Sequence, residues 1–269
     1  KSTTVNGILS LFDRMRLKTE LAAPTGRAAQ RLGELCGREA ATIHRLLESQ
    51  FSPEDGRLCF TKDESEPLKA DAVIVDETSM VDILLMEALL RALKPGCRLI
   101  LVGDPDQLPS VGAGNLFSDL IRSKKVPTVY LTEIFRQARE SLIVMNAHSI
   151  NRGEIPELGR KDKDFFVLPR RDNQSVVETI ADLCVRRLPQ NMGIPPEQIQ
   201  VLSPTRKTDA GTAALNLRLQ AVLNPPSAEK QERKYGKIIF REGDRVMQIR
   251  NNYDIMWRKP DGMGHGDRK

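Results

Sequence analysis

Two short apolar runs limit what this chain can fold into. Ala72-Val73-Ile74-Val75 is continuous and ends in Asp76-Glu77, and Arg98-Leu99-Ile100-Leu101-Val102 ends in Gly103-Asp104. A run without polar alternation has no face to give to solvent, so it belongs in a strand covered on both sides. Residues 81–93, between the two runs, have helical spacing and stop at Pro95-Gly96. Strand, helix and strand in that order predict a parallel sheet with helices on both faces. Ligands of such sheets bind beyond the carboxyl ends of the strands, where Asp76 and Asp104 fall.

The same alternation extends along the chain. Residues 2–16 carry Val5, Ile8, Leu9 and Phe12 at helical spacing, residues 20–23 read as a strand, and Thr25 is placed to cap a helix over 27–35. A second α/β unit is expected from residue 126. Its strands are 129–131, 165–168 and 199–202, and its helices 141–151, 175–187 and 210–223. Asn224-Pro225-Pro226 stops it, and strands at 237–240 and 245–249 are expected to join at Gly243-Asp244. Residues 48–70 interrupt the pattern. Short strand signals flank Pro53-Glu54-Asp55-Gly56, which fits either a protruding hairpin turned at Asp-Gly or a surface loop.

Composition excludes more than it selects. No apolar run approaches the ~20 residues of a membrane-spanning helix, and the first ten residues lack a signal-peptide pattern. Four scattered cysteines, with no CxxC pair, argue for a reducing, cytoplasmic setting and against a zinc site. A net charge of +5 permits nucleic-acid binding without requiring it. Aromatic residues are 4% of the chain, too few for an extended base-stacking platform.

Three pieces carry candidate chemistry. Asp76-Glu77, a carboxylate pair at the end of a buried strand, suits Mg²⁺–nucleotide hydrolysis, Asp76 holding the metal and Glu77 polarising the attacking water. Lys1-Ser2-Thr3 precedes a helix and matches the last residues of a P-loop, in which the lysine neutralises phosphate charge and the hydroxyl binds Mg²⁺. Gln107, in the run from Gly103-Asp104 to Val111-Gly112, can reach both a γ-phosphate and a nucleic-acid strand.

These pieces stand in a recognisable order with others: Ala23-Pro24-Thr25-Gly26-Arg27, Thr42-Ile43-His44-Arg45, Leu131-Thr132-Glu133-Ile134-Phe135-Arg136-Gln137, Ser203-Pro204 and Gly243-Asp244-Arg245-Val246-Met247-Gln248. The ordered set resembles the RecD-like helicases of superfamily 1, over nearly the whole chain. The resemblance implies an α/β protein with two RecA-like parallel-sheet motor domains of P-loop NTPase type. The first would be 1–125 with the 48–70 insertion as a small strand-separating hairpin, the second 126–235, and 236–269 the start of an inserted SH3-like barrel.

The implied activity is an ATP-dependent DNA helicase moving 5′ to 3′ on single-stranded DNA in recombination and repair, with ATP and Mg²⁺. Single-stranded DNA, duplex forks and exonuclease subunits of a RecBCD-like complex would be its partners. Lys1, Ser2 and Asp76 would hold nucleotide and metal. Glu77 and Gln107 would act in hydrolysis, and Arg136 would reach the γ-phosphate from the second motor domain. Pro24, Thr25, Gly26, Arg27 and His44 would line the DNA path, with Ser203 and Thr205 donating hydroxyls to phosphates as Thr25 does. Tyr253 and Trp257 would stack on bases or fill the barrel core.

Read alone, Arg136 suits a surface ion pair as well, and His44 a packed histidine. The P-loop glycines and late helicase motifs of the family are not in the chain, so the reading takes it as part of a longer protein, inactive by itself. The helicase region of a conjugative relaxase, or a DNA-binding scaffold without hydrolysis, are the competing readings. The scaffold has no use for Asp76, Glu77, Gln107 and Arg136 together.

Overall fold

The computed structural model describes residues 2–51, 58–131 and 140–247, which form two compact units, 1–165 and 166–269. The first is built on Ala72–Val75 (β5), whose four residues are all buried at 0% exposure. It pairs in parallel with Thr19–Ala23 (β1) on one side, Thr19 opposite Ala72 and Ala22 opposite Val75. On the other side Arg98–Leu101 (β6) is aligned Ala72 to Arg98 and Val75 to Leu101. Ala41–Thr42 (β2) extends the sheet beyond β1, giving the all-parallel order β2-β1-β5-β6.

Side chains alternate across a strand, so β5 serves two cores. Ala72 and Ile74 pack with Val5, Leu9 and Phe12 of Ser2–Arg14 (α1) and Leu32 of Gly26–Cys36 (α2). Val73 and Val75 pack with Ile43, Leu47, Val81 and the Leu85, Met86 and Leu89 stripe of Ile83–Ala92 (α4). The α1 spacing of i, i+3, i+4 and i+7 is the stripe expected from sequence. Truncating a side chain buried this fully, such as Ile74, costs about 2–5 kcal/mol.

At the opposite, amino edge of the sheet, Asp71 accepts from Lys18 N at 2.8 Å and Lys94 Nζ at 2.7 Å. The Lys94 bond is the main cause holding the Asp71 carboxyl below the usual carboxylate range.

The 48–70 interruption contains an antiparallel hairpin, Ser49–Phe51 (β3) with Leu58–Phe60 (β4), in the register Ser49 to Phe60. Residues 52–57, between the two strands in sequence, lie outside the described residues. The base is fastened to the lobe: Lys62 N donates to the carbonyl of the fully buried Leu47 at 3.2 Å, and Thr61 Oγ1 donates to Glu48 O at 3.1 Å. The four-residue helix Ile43–Leu46 (α3) packs beside it.

The two motor sheets expected from sequence are one sheet among the described residues. Segments 129–131, 165–168 and 199–202, read as strands, join no β-ladder. A strand exists through bonds to a neighbour. Without one, Val129, Tyr130, Leu131, Phe166 and Leu202 stay exposed despite their apolar character. The compact units divide at 165/166, whereas the sequence pattern restarts at 126. Residues 141–165 are tied to each other: Asp164 accepts from Ser141 Oγ, Leu142 N and Ile143 N at the start of Leu142–Asn151 (α6), which follows Leu116–Ser123 (α5). Asn146 within α6 is buried and bonds the backbone of Glu157 in both directions.

In the second unit, Asn173–Asp182 (α7) runs on through a wide turn, Leu183–Arg187, into Leu188–Met192 (α8). Thr212–Leu223 (α9) joins α7 through Arg218 and Glu178 at 2.7 Å. The strand expected at 237–240 does form, but its partner lies upstream. Glu232–Tyr235 (β7) pairs antiparallel with Ile238–Arg241 (β8) around a two-residue turn, where Gly236 has φ 61°. A glycine at the first turn position is what such a tight hairpin needs. Of the strand expected at 245–249, residues 248–249 lie outside the described residues, and 245–247 join no ladder among them; Asp244 instead accepts from Gln220 and Asn224 at the end of α9 and from Arg241 N.

Candidate functional site

The sheet order distributes the sequence motifs along its carboxyl edge. His44 follows β2, Pro24 to Arg27 follow β1, Asp76-Glu77 follow β5, and Gly103 to Gln107 follow β6. Neighbouring strands are about 4.8 Å apart, so the edge from β2 to β6 spans about 14 Å. The chain crosses from β2 back over β1 to β5, so the direction of strand addition reverses between β1 and β5.

On the β5–β6 side the backbone is held tightly. Asp76 N donates to Ala22 O at 2.9 Å, and the Asp76 Oδ1 accepts from Glu77 N at 2.8 Å. Glu77 has φ 54°, in the left-handed region, at a cost of about 1–3 kcal/mol for a non-glycine residue. It opens the 3₁₀ turn Thr78–Met80, in which Thr78 and Ser79 are buried. Thr78 N donates to Val102 O at 3.0 Å, joining this turn to the end of β6.

The loop that carries Gln107 is held again at its far end. Ile83 N donates to Ala113 O at 3.2 Å, and a Cβ on Gly112 would stand 2.7 Å from the Asp82 Cβ. Asp82 itself caps α4 through Leu85 N. Between these two fastenings Gln107 is exposed, in a turn where Asp104 Oδ1 accepts from Asp106 N at 3.0 Å. Cys36 lies near enough for the Asp76 charge to act on it. Burial first, and that charge second, hold its thiol above the ordinary value.

The β1–β2 side is built from helix starts. Thr25 Oγ1 accepts from Ala28 N at 3.3 Å and caps α2, which leaves its own proton free to be donated to an anion. Pro24 is half-buried, while Gly26 and Arg27 are exposed. Thr42 caps α3 through Arg45 N at 3.1 Å. His44, half-buried, packs its ring on Phe60 of the hairpin, with centroids 5.8 Å apart.

Ser203 and Thr205 belong to the second unit. The Ser203 hydroxyl lies 3.2 Å from Thr205 O and 3.1 Å from Ala210 O, so its proton is engaged within its own loop. Thr205 is exposed and shares a hydroxyl contact of 2.6 Å with Thr208. Lys1, Arg136, Tyr253 and Trp257 lie outside the described residues, and Ser2 is placed only as the first residue of α1. Thr78 lies in the Val75–Met80 motif without a role of its own there, and Asp82 has none. The signal for the Asp82 contact was present in Gly112-Ala113-Gly114, since glycines off a strand end often mark close backbone approach.

Among the described residues no group of three or more His, Cys, Asp or Glu side chains could hold a metal ion. Hard oxygens from one carboxylate and one hydroxyl are what a Mg²⁺ shared with nucleotide phosphates takes from a protein, and Asp76 and Ser2 are of that type. No helix among the described residues is long and apolar enough to cross a membrane.

Comparison with known proteins gives two family matches, an AAA domain over residues 1–167 and an ATP-dependent RecD-like DNA helicase SH3 domain over 215–262. The chain is 39% identical over 254 residues to the ATP-dependent RecD2 DNA helicase of Deinococcus radiodurans, covering 94% of this chain and 33% of that protein. It is 40% identical over 144 residues to the RecBCD enzyme subunit RecD of Mycobacterium tuberculosis, covering 45% of this chain and 24% of that one. It is 35% identical over 120 residues to the ATP-dependent DNA helicase dda of phage T4, covering 43% of this chain and 27% of the phage protein. The chain thus spans a third or less of the length of these relatives.

Proposed function

We propose that this chain, which belongs to the RecD-like superfamily 1 DNA helicases, is the ATP-hydrolysing motor region of a helicase that moves 5′ to 3′ along single-stranded DNA. One observation carries the reading. The Asp76-Glu77 turn and the Gln107 loop are bonded together on one side of a sheet edge whose other side presents Thr25, Arg27 and His44. A residue that meets nucleotide and a residue that meets DNA then share one rigid frame. In this reading residues 126–235 belong to an incomplete second lobe of the motor.

Glu77 takes a proton from water as the oxygen attacks the γ-phosphorus. The bond from that phosphorus to the bridging oxygen breaks, and ADP leaves with phosphate. Asp76 and Ser2 would hold Mg²⁺, which offsets phosphate charge when bound. Lys1 and Arg136 supply further positive charge to the γ-phosphate. Thr25, Arg27 and Thr205 meet the DNA backbone, which positions a strand without reading its sequence. Single-stranded DNA and forks are the partners, and relatives named as RecBCD subunits make exonuclease subunits candidates too.

The test is ATP turnover by the full-length protein with and without single-stranded DNA. Stimulation by DNA of any sequence is the expected result. Turnover indifferent to DNA would remove the motor reading and leave a nucleotide hydrolase of another kind.

A further inference from the structure

The bonds that lace the two motif strands converge on one side chain. Thr78 is fully buried, and its Oγ1 lies 3.1 Å from Val75 O and 3.0 Å from Val102 O. Its N–H donates to Val102 O at 3.0 Å, and Val102 N donates to Val75 O at 2.8 Å. A hydroxyl carries one proton. That proton is shared between the last carbonyl of β5 and the carbonyl that follows β6.

On one side of this bond stands Glu77, whose left-handed backbone persists only if its surroundings over-determine it. On the other side stand Gly103-Asp104 and the loop to Gln107. The two segments touch directly as well, for a Cβ on Gly103 would lie 3.3 Å from Ser79 N and 3.0 Å from the Phe117 ring.

We infer that Thr78 is a positioning residue whose hydroxyl holds the Glu77 carboxylate and the Gln107 loop in one fixed relation, so that hydrolysis and the grip on DNA change together. The inference rests on the proposed function, because it takes Glu77 as the base and Gln107 as the coupling residue. Valine keeps threonine's shape and loses the donor, whereas serine keeps the donor and loses only a methyl. The pair therefore separates the hydrogen bond from the packing.

The experiment measures steady-state ATPase of the full-length protein at varied ATP, with and without single-stranded DNA, alongside thermal melting. Thr78→Val is expected to lower the DNA-stimulated kcat by about 10²-fold, the order of loss that a small misplacement of a reacting group produces. The KM for ATP should hold, and Thr78→Ser should restore turnover close to that of the unsubstituted protein. Should Thr78→Val fail to fold, Gly103→Ala leaves the hydroxyl intact but presses the two segments apart at Ser79 N and the Phe117 ring, and it too should lower kcat and spare KM.

Unchanged kcat in either folded variant overturns the inference. So does an equal loss in the valine and serine variants, which would mark a role in packing only. Absence of DNA-stimulated turnover in the unsubstituted protein is a distinct result, and it removes the functional reading and this inference together.

Discussion

The two halves of the sheet's carboxyl edge are built by different means. Beyond β5 and β6 the backbone is cross-linked and buried, with Thr78 bonded to Val102, Ala113 bonded to Ile83, and Glu77 in a strained conformation. Beyond β1 and β2 there are caps and exposed side chains: Thr25 and Thr42 each accept one backbone N–H, and Arg27 lies in solvent. In the proposed function the difference has a reason. Phosphoryl transfer fails when a base is misplaced by an ångström. A sequence-blind grip on DNA tolerates looser geometry, because a phosphate accepts donors from many directions. The rigid half should therefore control turnover, and the exposed half affinity.

The largest effect should come from the rigid half. Glu77→Gln is expected to lower kcat by roughly 10²–10⁴-fold, the usual contribution of a general base, with binding of a fluorescent ATP analogue retained. Normal hydrolysis by this variant would reassign Glu77 as a carboxylate that merely ends a strand, and the contrast between the halves would lose its basis.

Next comes the hairpin, which stands on the exposed side against His44. Replacing all of 50–66 would remove Phe60, Thr61 and Lys62, which fasten the hairpin to the lobe. The sharper change replaces only 52–57 with a short Gly/Ser turn. DNA-stimulated ATPase should survive and fork unwinding should be lost, measured on one preparation. Unwinding at the original rate would make the segment a surface loop. Loss of both activities would assign it to folding.

Smaller still is the effect of Arg27→Ala. Affinity for single-stranded DNA should fall uniformly across sequences, and the slope of log affinity against log salt should lessen by about one. A loss confined to one base sequence would break the comparison, since it would turn a backbone grip into a reading contact.

The smallest effect lies at the far edge of the sheet and serves as a control. Asp71→Asn should lower the melting temperature slightly at neutral pH and leave turnover and DNA affinity unchanged. The Asp71 carboxyl titrates below its unfolded value, chiefly through Lys94. Its stabilising contribution is therefore present above the unfolded pKa and lost as pH falls through the folded one. The melting curves of variant and parent should converge in acid; a gap that persists there would locate the effect elsewhere.

How far the sequence could be read follows the same line between buried and exposed. Ala72-Val73-Ile74-Val75 announces a strand covered on both faces, and partners exist on both sides to form one. Ile199-Gln200-Val201-Leu202 has a similar look, yet among the described residues no neighbouring strand pairs with it, and Leu202 is 85% exposed. Apolar content signals that a segment should be covered; the pairing that makes it a strand depends on distant residues. The hairpin of the second unit was misregistered for a related reason. Gly243-Asp244 looks like a turn between strands, but Asp244 is recruited by Gln220 and Asn224, and Gly236 makes the turn. In the proposed site, Asp76, Glu77 and Gln107 stand out in the sequence because the chemistry proposed for them restricts their residue types. Thr78 does not, because a buried threonine in a turn carries no mark of what its hydroxyl bonds.

The division of the sheet edge is tested most directly by a crossed measurement on Glu77→Gln and Arg27→Ala in the full-length protein. Each is titrated with single-stranded DNA for affinity and then assayed for ATP turnover at saturating DNA. The account predicts that Glu77→Gln loses turnover with DNA affinity intact, and that Arg27→Ala loses affinity with turnover at saturation intact. Turnover lost in Arg27→Ala at saturating DNA, or affinity lost in Glu77→Gln, would contradict it.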